Sequence, residues 1–435
     1  MKKLFVYLII ICAGIICLQC SKIIEPFNTN VTTGSDNNNP GLDPEYPDPG
    51  SDRTPGQFTL AEKGMVGSIN SFGLKLFKKI NNASANNKNL FISPLSVSYA
   101  LGMAYNGAGG ETKEAMASTL ELPELSPIDI NLCYKNMTQI LGNLDEYVTF
   151  NIANSIWYRN GFPVKQSFLD INRQYFLATV RALDFNDPSS ADTINTWVDI
   201  NTNGKITNII NPPIDPLTMM YLINAIYFKG GWSLPFDPEF SFDMDFTRED
   251  GSDVPRTFMR ADTSFNYTEN DLFQAIELMY GDSAFSIVII LPLPEYTVND
   301  IIAQLDTDAW AQWVSQLEDQ TVYLKLPKFK FKYEIRPKQI LAEMGMNIAF
   351  QPYAADFTPI ADINDLHISD IIHKTFVQLD EEGTEAAAVT VVAFGVTSID
   401  PTPYMTINRP FLFAIRERVS GTILFIGKVA DPVWE

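Results

Sequence analysis

The sequence predicts one large domain of mixed helix and strand, carried behind an export signal and a flexible tether. Three observations lead there. Apolar patterning continues from Phe58 to Glu435 with no second linker, and helical spacing dominates the first two-fifths of that stretch. From Thr149 onward, runs rich in Val, Ile, Phe and Tyr recur, several of them apolar without interruption.

The chain opens with Lys2 and Lys3, continues through fifteen uncharged residues from Leu4 to Leu18, and reaches Gln19 and Cys20. A cationic start followed by an apolar run too short to span a bilayer reads as a cleaved export signal, residues 1–19. Cysteine at the end of such a signal marks a bacterial lipoprotein, so Cys20 is expected to carry lipid at the head of the mature chain. Leu18 and Gln19 depart from that pattern, which places a small residue just before the cysteine, and ordinary secretion is the alternative. The expected location is therefore the outer membrane, facing periplasm or cell surface, or else the secreted fraction. Residues 20–57 read as a tether to the domain at 58–435: from 28 to 57 they are dense in Pro, Gly, Asn and Asp. Such a segment buries too little apolar surface to offset its ordering entropy.

Composition excludes several classes of protein. The formal net charge is −21, and loss of Lys2 and Lys3 leaves 29 basic against 52 acidic residues. An excess of carboxylates repels phosphate, so nucleic acid is not an expected partner. With Cys12 and Cys17 removed in the signal and Cys20 lipidated, Cys133 stands by itself and no disulfide framework can form. Beside Leu132 and Met137 it reads as a small buried hydrophobe. A hydrolase would need a positioned nucleophile and base, yet only His367 and His373 exist, and no G-x-S-x-G, H-E-x-x-H, Walker-type loop or cysteine pair occurs. No metal or cofactor is expected, and the domain is read as a monomer.

The elements follow in order. Ile69, Phe72, Leu76 and Ile80 fall at spacings of three and four, one apolar face of a helix. SPLSVSYALGMAYNGA opens with Ser93 as N-cap and Pro94 in the first turn and stops near Gly107, Gly109 and Gly110; ETKEAMASTL continues as a second helix. Strands are expected at VTFNIANSIWY, MMYLINAIYF, FQAIELMY, FSIVIILPL and TVYLKLPKFKFKYE, with helices between them at DTINTWVDINTNG and IRPKQILAEMG. One stretch fits neither pattern. Residues 381–398, EEGTEAAAVTVVAFGVTS, lie between KTFVQLD and RPFLFAI, both strand-like, and Asp380 to Asn408 is far too long for a hairpin connection.

Six segments, NLFISPLSVSYALGMAYNGAGGET, INTWVDINTNGKI, LINAIYFKGGW, LKLPKFKF with a following MGM, HKTFVQLDEEGTEAAA and RPFLFAIRERVSGTILFIGKV, resemble the serpin family in order and spacing, over essentially all of residues 60–435. The resemblance implies an α+β serpin fold: mixed helices on a large central sheet, two smaller sheets and an exposed reactive-centre loop. It implies a suicide-substrate inhibitor, whose loop is cleaved by a serine or cysteine protease and inserts into the central sheet with the protease still acyl-linked. The residues are compatible with insertion. By the family's register Thr384, Ala386, Ala388, Thr390, Val392 and Phe394 face inward and none is charged, while the outward phase carries Glu385, Ala387, Val389, Val391 and Ala393. A charge in the inward phase would be buried without a partner, at a cost of several kcal/mol.

Further positions carry over from the family. Glu381, Gly383, Thr384, Glu385, Ala386, Ala387 and Ala388 match the hinge. Ser93, Ser96, Asn224 and His373 match the polar shutter beneath the sheet, with His373 structural rather than catalytic. Trp232 and Lys328 match the breach at the top of the sheet, with Lys328 paired to Glu381. Counting from the hinge puts the scissile bond at Thr397–Ser398; counting back from NRPFLF puts it near Ile399–Asp400. No Lys or Arg lies between Lys374 and Arg409, so a trypsin-like pocket finds no cation. Val396 and Thr397 suit an elastase-like protease, Phe394 offers a weaker chymotrypsin-like site, and a papain-like protease is a further alternative. The rival functions are a non-inhibitory serpin-fold binding protein and, more distantly, a glycan-binding lipoprotein.

Overall fold

The computed structural model describes residues 57–85, 88–384 and 402–435. Helix α1 (Leu60–Ala83) begins at a capping box: the Thr59 hydroxyl accepts from the Glu62 amide and the Glu62 carboxylate accepts from the Thr59 amide. Strand β1 (Leu90–Ile92) leads into α2 (Pro94–Tyr105), for which Ser93 is the N-cap and Pro94 the first helical residue, as the sequence predicts. Then come α3 (Gly110–Thr119), α4 (Pro127–Leu141), β2 (Val148–Arg159), α5 (Gln166–Phe176), β3 (Thr179–Leu183), α6 (Ser189–Asn201) and β4 (Met220–Gly231).

The second half is mostly strand: β5 (Phe242–Thr247), β6 (Asp253–Glu269), β7 (Phe273–Tyr280) and β8 (Phe285–Pro292) precede helices α7 (Val298–Gln304) and α8 (Thr307–Ser315). After them lie β9 (Glu318–Pro327), β10 (Phe329–Ile335), the short helix α9 (Lys338–Leu341), β11 (His373–Leu379), β12 (Gly383–Thr384), β13 (Tyr404–Thr406), β14 (Phe411–Glu417) and β15 (Ile423–Val429). The stretch TVYLKLPKFKFKYE, read from sequence as one strand, is two strands of different sheets. Pro327 supplies no amide for a ladder, the Lys328 amide turns to the Thr257 carbonyl, and the chain crosses from one sheet to another there.

Among the described residues three sheets form. The largest runs β1-β15-β14-β8-β7-β6-β9-β13, with β5 beside β6. Strands β8, β14 and β15 are buried at every position, which accounts for their uninterrupted apolar runs. A four-stranded sheet runs β12-β4-β2-β3, and β10 pairs with β11 alone. Helix α6 covers part of the four-stranded sheet, packing Ile194 and Val198 with Trp157 of β2 and Ile223 of β4 in a separate apolar cluster.

The four-stranded and two-stranded sheets are split along β4 and β11. Strand β12 pairs with β4 only at Gly383 to Gly231 and Thr384 to Gly230, so the rest of that edge of β4 has no ladder partner among the described residues. Ile226, Tyr227 and Phe228 of β4 face Thr375, Phe376 and Val377 of β11 across the split, with Thr384 at its mouth. The cavity they line measures about 30 Å³, room for a water or two.

Candidate functional site

The mouth of the slot is built by the turn from β11 to β12. The Asp380 amide donates to the Gly383 carbonyl at 3.1 Å and the Gly383 amide donates back at 3.3 Å. Gly383 holds φ +145°, and a Cβ there would lie 2.2 Å from the Gly230 carbonyl oxygen and 2.8 Å from the Gly231 Cα. No other residue fits that approach of backbone to backbone. Trp232 fixes the turn from β4: its amide donates to the Glu382 carbonyl and its indole Nε1 to the Asp380 carbonyl, each at 2.9 Å. Its ring stacks on Tyr280 with centroids 4.7 Å apart, and the Tyr280 hydroxyl bonds the Thr384 hydroxyl at 2.6 Å.

Glu381 is held from two sides. Lys328 Nζ lies 2.8 Å from its Oε2 and the Ser241 hydroxyl donates to its Oε1 at 2.6 Å. Burial pushes the Glu381 carboxyl up, and the Lys328 and Ser241 bonds more than reverse it, so it sits below the ordinary carboxylate value. The Glu381 side chain is only 9% exposed and Lys328 25%. One expectation needs correction: the reactive loop is not exposed throughout. At its hinge end Thr384 is 5% exposed and already paired to β4, because the two glycines at 230 and 231 leave room for a strand to seat there.

Deeper in the molecule the structure brings together three of the four residues matched to the shutter. The Ser93 amide donates to His373 Nε2 at 3.0 Å, the Ser93 hydroxyl donates to the Leu424 carbonyl at 2.7 Å, and the Ser96 amide donates to the Ser93 hydroxyl at 3.1 Å. His373 is buried, which pushes its pKa down to about 4, so it is neutral with Nε2 as acceptor. Asn224 takes another partner: its Nδ2 donates to Asn154 Oδ1 at 2.8 Å, and its buried Oδ1 has none among the described residues. Since the acceptor nitrogen of His373 faces a backbone amide rather than a hydroxyl, no nucleophile and base pair forms here. His367 is half-buried, with Nδ1 2.7 Å from the Asp365 carbonyl.

Sequence reasoning missed Tyr280, Ser241, Asn154 and Thr375, whose hydroxyl donates to the Phe91 carbonyl at 2.6 Å. Consecutive glycines at 230 and 231 inside an apolar strand were the available signal for a close backbone approach. Cys20, Glu385, Ala386, Ala387, Ala388, Thr397 and Ser398 lie outside the described residues.

A split sheet whose edge strand already holds the first residues of a long loop defines the class of protein, and sequence comparison agrees. The family model described as Serpin (serine protease inhibitor) matches residues 67–432. The chain belongs to the serpin family, whose members are generally protease inhibitors rather than catalysts. It is 34% identical to an uncharacterized serpin-like protein of Thermococcus kodakarensis over 85% of this chain and 86% of that one. It is 32% identical to the leukocyte elastase inhibitor of Xenopus tropicalis over 83% of this chain and 97% of that one. Human thyroxine-binding globulin superposes with a TM-score of 0.78 at 26% identity, over 86% of this chain and all of that one.

Proposed function

We propose that this protein is a suicide-substrate inhibitor of an elastase-like serine protease, tethered to a bacterial outer membrane through lipid on Cys20. The observation that carries the inhibitory part is the slot between β4 and β11, with Gly383 and Thr384 already forming its first rung of pairing. A loop seated at its hinge needs no new nucleation in order to zip down the slot, only that the strands part by about 4.8 Å to admit another.

The chemistry belongs to the protease. Its serine oxygen attacks the Thr397 carbonyl, giving up its proton to the enzyme's base; the peptide bond breaks, the Ser398 amine leaves with that proton, and an ester to Thr397 stays behind. Residues 384–397 then enter the slot, uncharged on the inward phase, and draw the acylated enzyme with them. Val396 and Thr397 fit a shallow apolar pocket, a preference supported by the likeness to a leukocyte elastase inhibitor. The likeness to thyroxine-binding globulin, a ligand carrier by name, supports the alternative of a non-inhibitory binder, but the hinge argues against it because all its inward residues are free of charge.

Incubation with an elastase-type and a trypsin-type protease tests the reading. The expected result is a covalent complex with the first that survives denaturing electrophoresis, and a released fragment beginning at Ser398 by mass spectrometry. Simple turnover with no complex would overturn the inhibitory reading, and rapid trypsin trapping would overturn the assigned specificity. Separately, fatty-acid labelling in the native host that is lost on Cys20→Ala checks the anchor.

A further inference from the structure

The outer face of the split sheets carries a cluster of lysines in a protein whose formal charge is −21. On β10, Lys330 and Lys332 stand two residues apart and therefore on one face, opposite Gln378 and Phe376 of β11. Lys205, in the connection that leaves α6, lies over the Phe376 ring at 5.1 Å, so this is the face beneath that connection. Across the slot stands Lys229 of β4, paired in register with Thr149 of β2. The closeness of the group is felt at Lys205, whose ammonium is held below the ordinary lysine value by burial first and then by Lys330, Lys229 and Lys332.

Two neighbouring carboxylates are committed elsewhere, Glu334 to Lys374 at 2.9 Å and Glu381 to Lys328 at 2.8 Å. Among the described residues Lys229, Lys330 and Lys332 form no ion pair; Lys330 rests over the Trp434 ring at 5.5 Å. Carboxylates outnumber cations across the chain, yet among the described residues none forms an ion pair with this trio. We propose that Lys229, Lys330 and Lys332 bind a short polyphosphate-like anion, several oxyanion groups in a row, that bridges β4 and β10 across the slot. Lysine serves phosphate as a point charge rather than a planar fork. Two strand positions separate Lys330 from Lys332 by about 7 Å and Lys229 stands on another strand across the slot, a spread suited to a chain of phosphates.

The consequence rests on the insertion reading above. A strand entering the slot moves Lys229 away from Lys330 and Lys332, so an anion bound to all three favours the closed sheet and by linkage opposes insertion. The binding itself does not depend on inhibition.

Titration calorimetry of the intact protein with sodium tripolyphosphate, at fixed ionic strength, tests the site. We expect saturable binding at least tenfold tighter than for orthophosphate or sulfate, which also separates it from general salting effects. Lys229→Ala and Lys332→Ala should each weaken it about tenfold while leaving the melting of the unliganded protein unchanged. Protein nicked in the loop should bind at least tenfold more weakly than intact protein. Absence of saturable binding, or variants that bind like the wild type, would overturn the site, and equal binding before and after nicking would overturn the bridge. Lysine-dependent binding in a protein that traps no protease would uphold the site while sinking the inhibitory reading.

Discussion

The nine-stranded sheet and the split pair of sheets solve opposite problems with the same chain. In the first, β8, β14 and β15 are buried along their whole length, and Arg416 of β14 is bound to Glu277 at 2.8 Å while Ser286 and Asn266 fill the remaining acceptor positions of Glu277. Both oxygens of the buried Glu277 carboxylate are thus bonded. In the second, β11 alternates buried and half-buried residues, and among the described residues Asn224 Oδ1 is buried without a partner and one edge of β4 is paired for only two residues. Incomplete satisfaction in one place, supported by completeness next to it, is how a fold keeps a second arrangement within reach.

Cutting the loop between Val392 and Ser398 should have the largest effect. If the split sheets hold a kinetically trapped state, the nicked chain fills the slot and the apparent thermal midpoint rises by roughly 10 °C or more. Scanning calorimetry of intact and nicked protein measures it, and identical curves would erase the contrast between the two regions.

Paired substitutions separate the regions more finely. Arg416→Met leaves Glu277, 2% exposed, with Arg418 as its one cation at 3.4 Å, and breaking a buried pair costs about 3–5 kcal/mol. Urea midpoints should fall accordingly, while the folded remainder traps protease with unchanged stoichiometry. Thr384→Arg should do the reverse in kind: it places a cation beside Tyr280, lowers the native midpoint because Thr384 is already buried, and turns the inhibitor into a substrate. An Arg416→Met protein that folds but no longer traps protease would show that the two layers are coupled.

Much of this division was legible before any coordinates. Caps at Ser93, the alternation in β11 and the uncharged inward phase of the loop are local signals, readable because a residue's neighbours in sequence determine them. The crossing at Pro327 also left a trace: buried positions run Val322, Leu324, Leu326 and then Phe329, Phe331, a shift of phase by one residue that marks two strands rather than one. What stayed hidden is long-range. Thr384 meets Tyr280 across 104 residues, and no spacing rule reaches so far; the meeting of His373 with Ser93 across 280 came only from the family resemblance. The partial seating of the hinge belongs with these, since it depends on Gly230 and Gly231 lying against Gly383.

The closed end of the slot should respond to pH. His373 has a folded pKa of about 4 against an ordinary 6.5, so the unfolded chain takes up its proton first. The contribution of neutral His373 is complete above pH 6.5 and is lost as pH falls toward 4, amounting to about 3 kcal/mol at roughly 1.4 kcal/mol per pKa unit. Protonation at Nε2 also removes the acceptor for the Ser93 amide. Urea midpoints measured from pH 7 to 4 should decline over that window in the wild type and more shallowly in His373→Gln. A parallel decline in both would assign the acid sensitivity to carboxylates instead.

The smallest effect is expected at the mouth, where Lys328 and Glu381 pair. The carboxylate is nearly buried and the ammonium is not, which places the interaction between the exposed case, about 0–1 kcal/mol, and the buried one, about 3–5 kcal/mol. A double-mutant cycle with Lys328→Met and Glu381→Gln should give a coupling of about 1–2 kcal/mol at pH 7. Because the folded carboxyl lies below its ordinary value of 4.5, that coupling is fully present above pH 4.5 and is lost as pH falls through the depressed folded value, below the window in which His373 acts. Repeating the cycle at pH 5 and at pH 3 therefore distinguishes the two ends of the slot. Coupling retained at pH 5 and weaker at pH 3 fits the ion pair, whereas coupling already lost by pH 5 would mean that the hinge is released by the histidine at the far end.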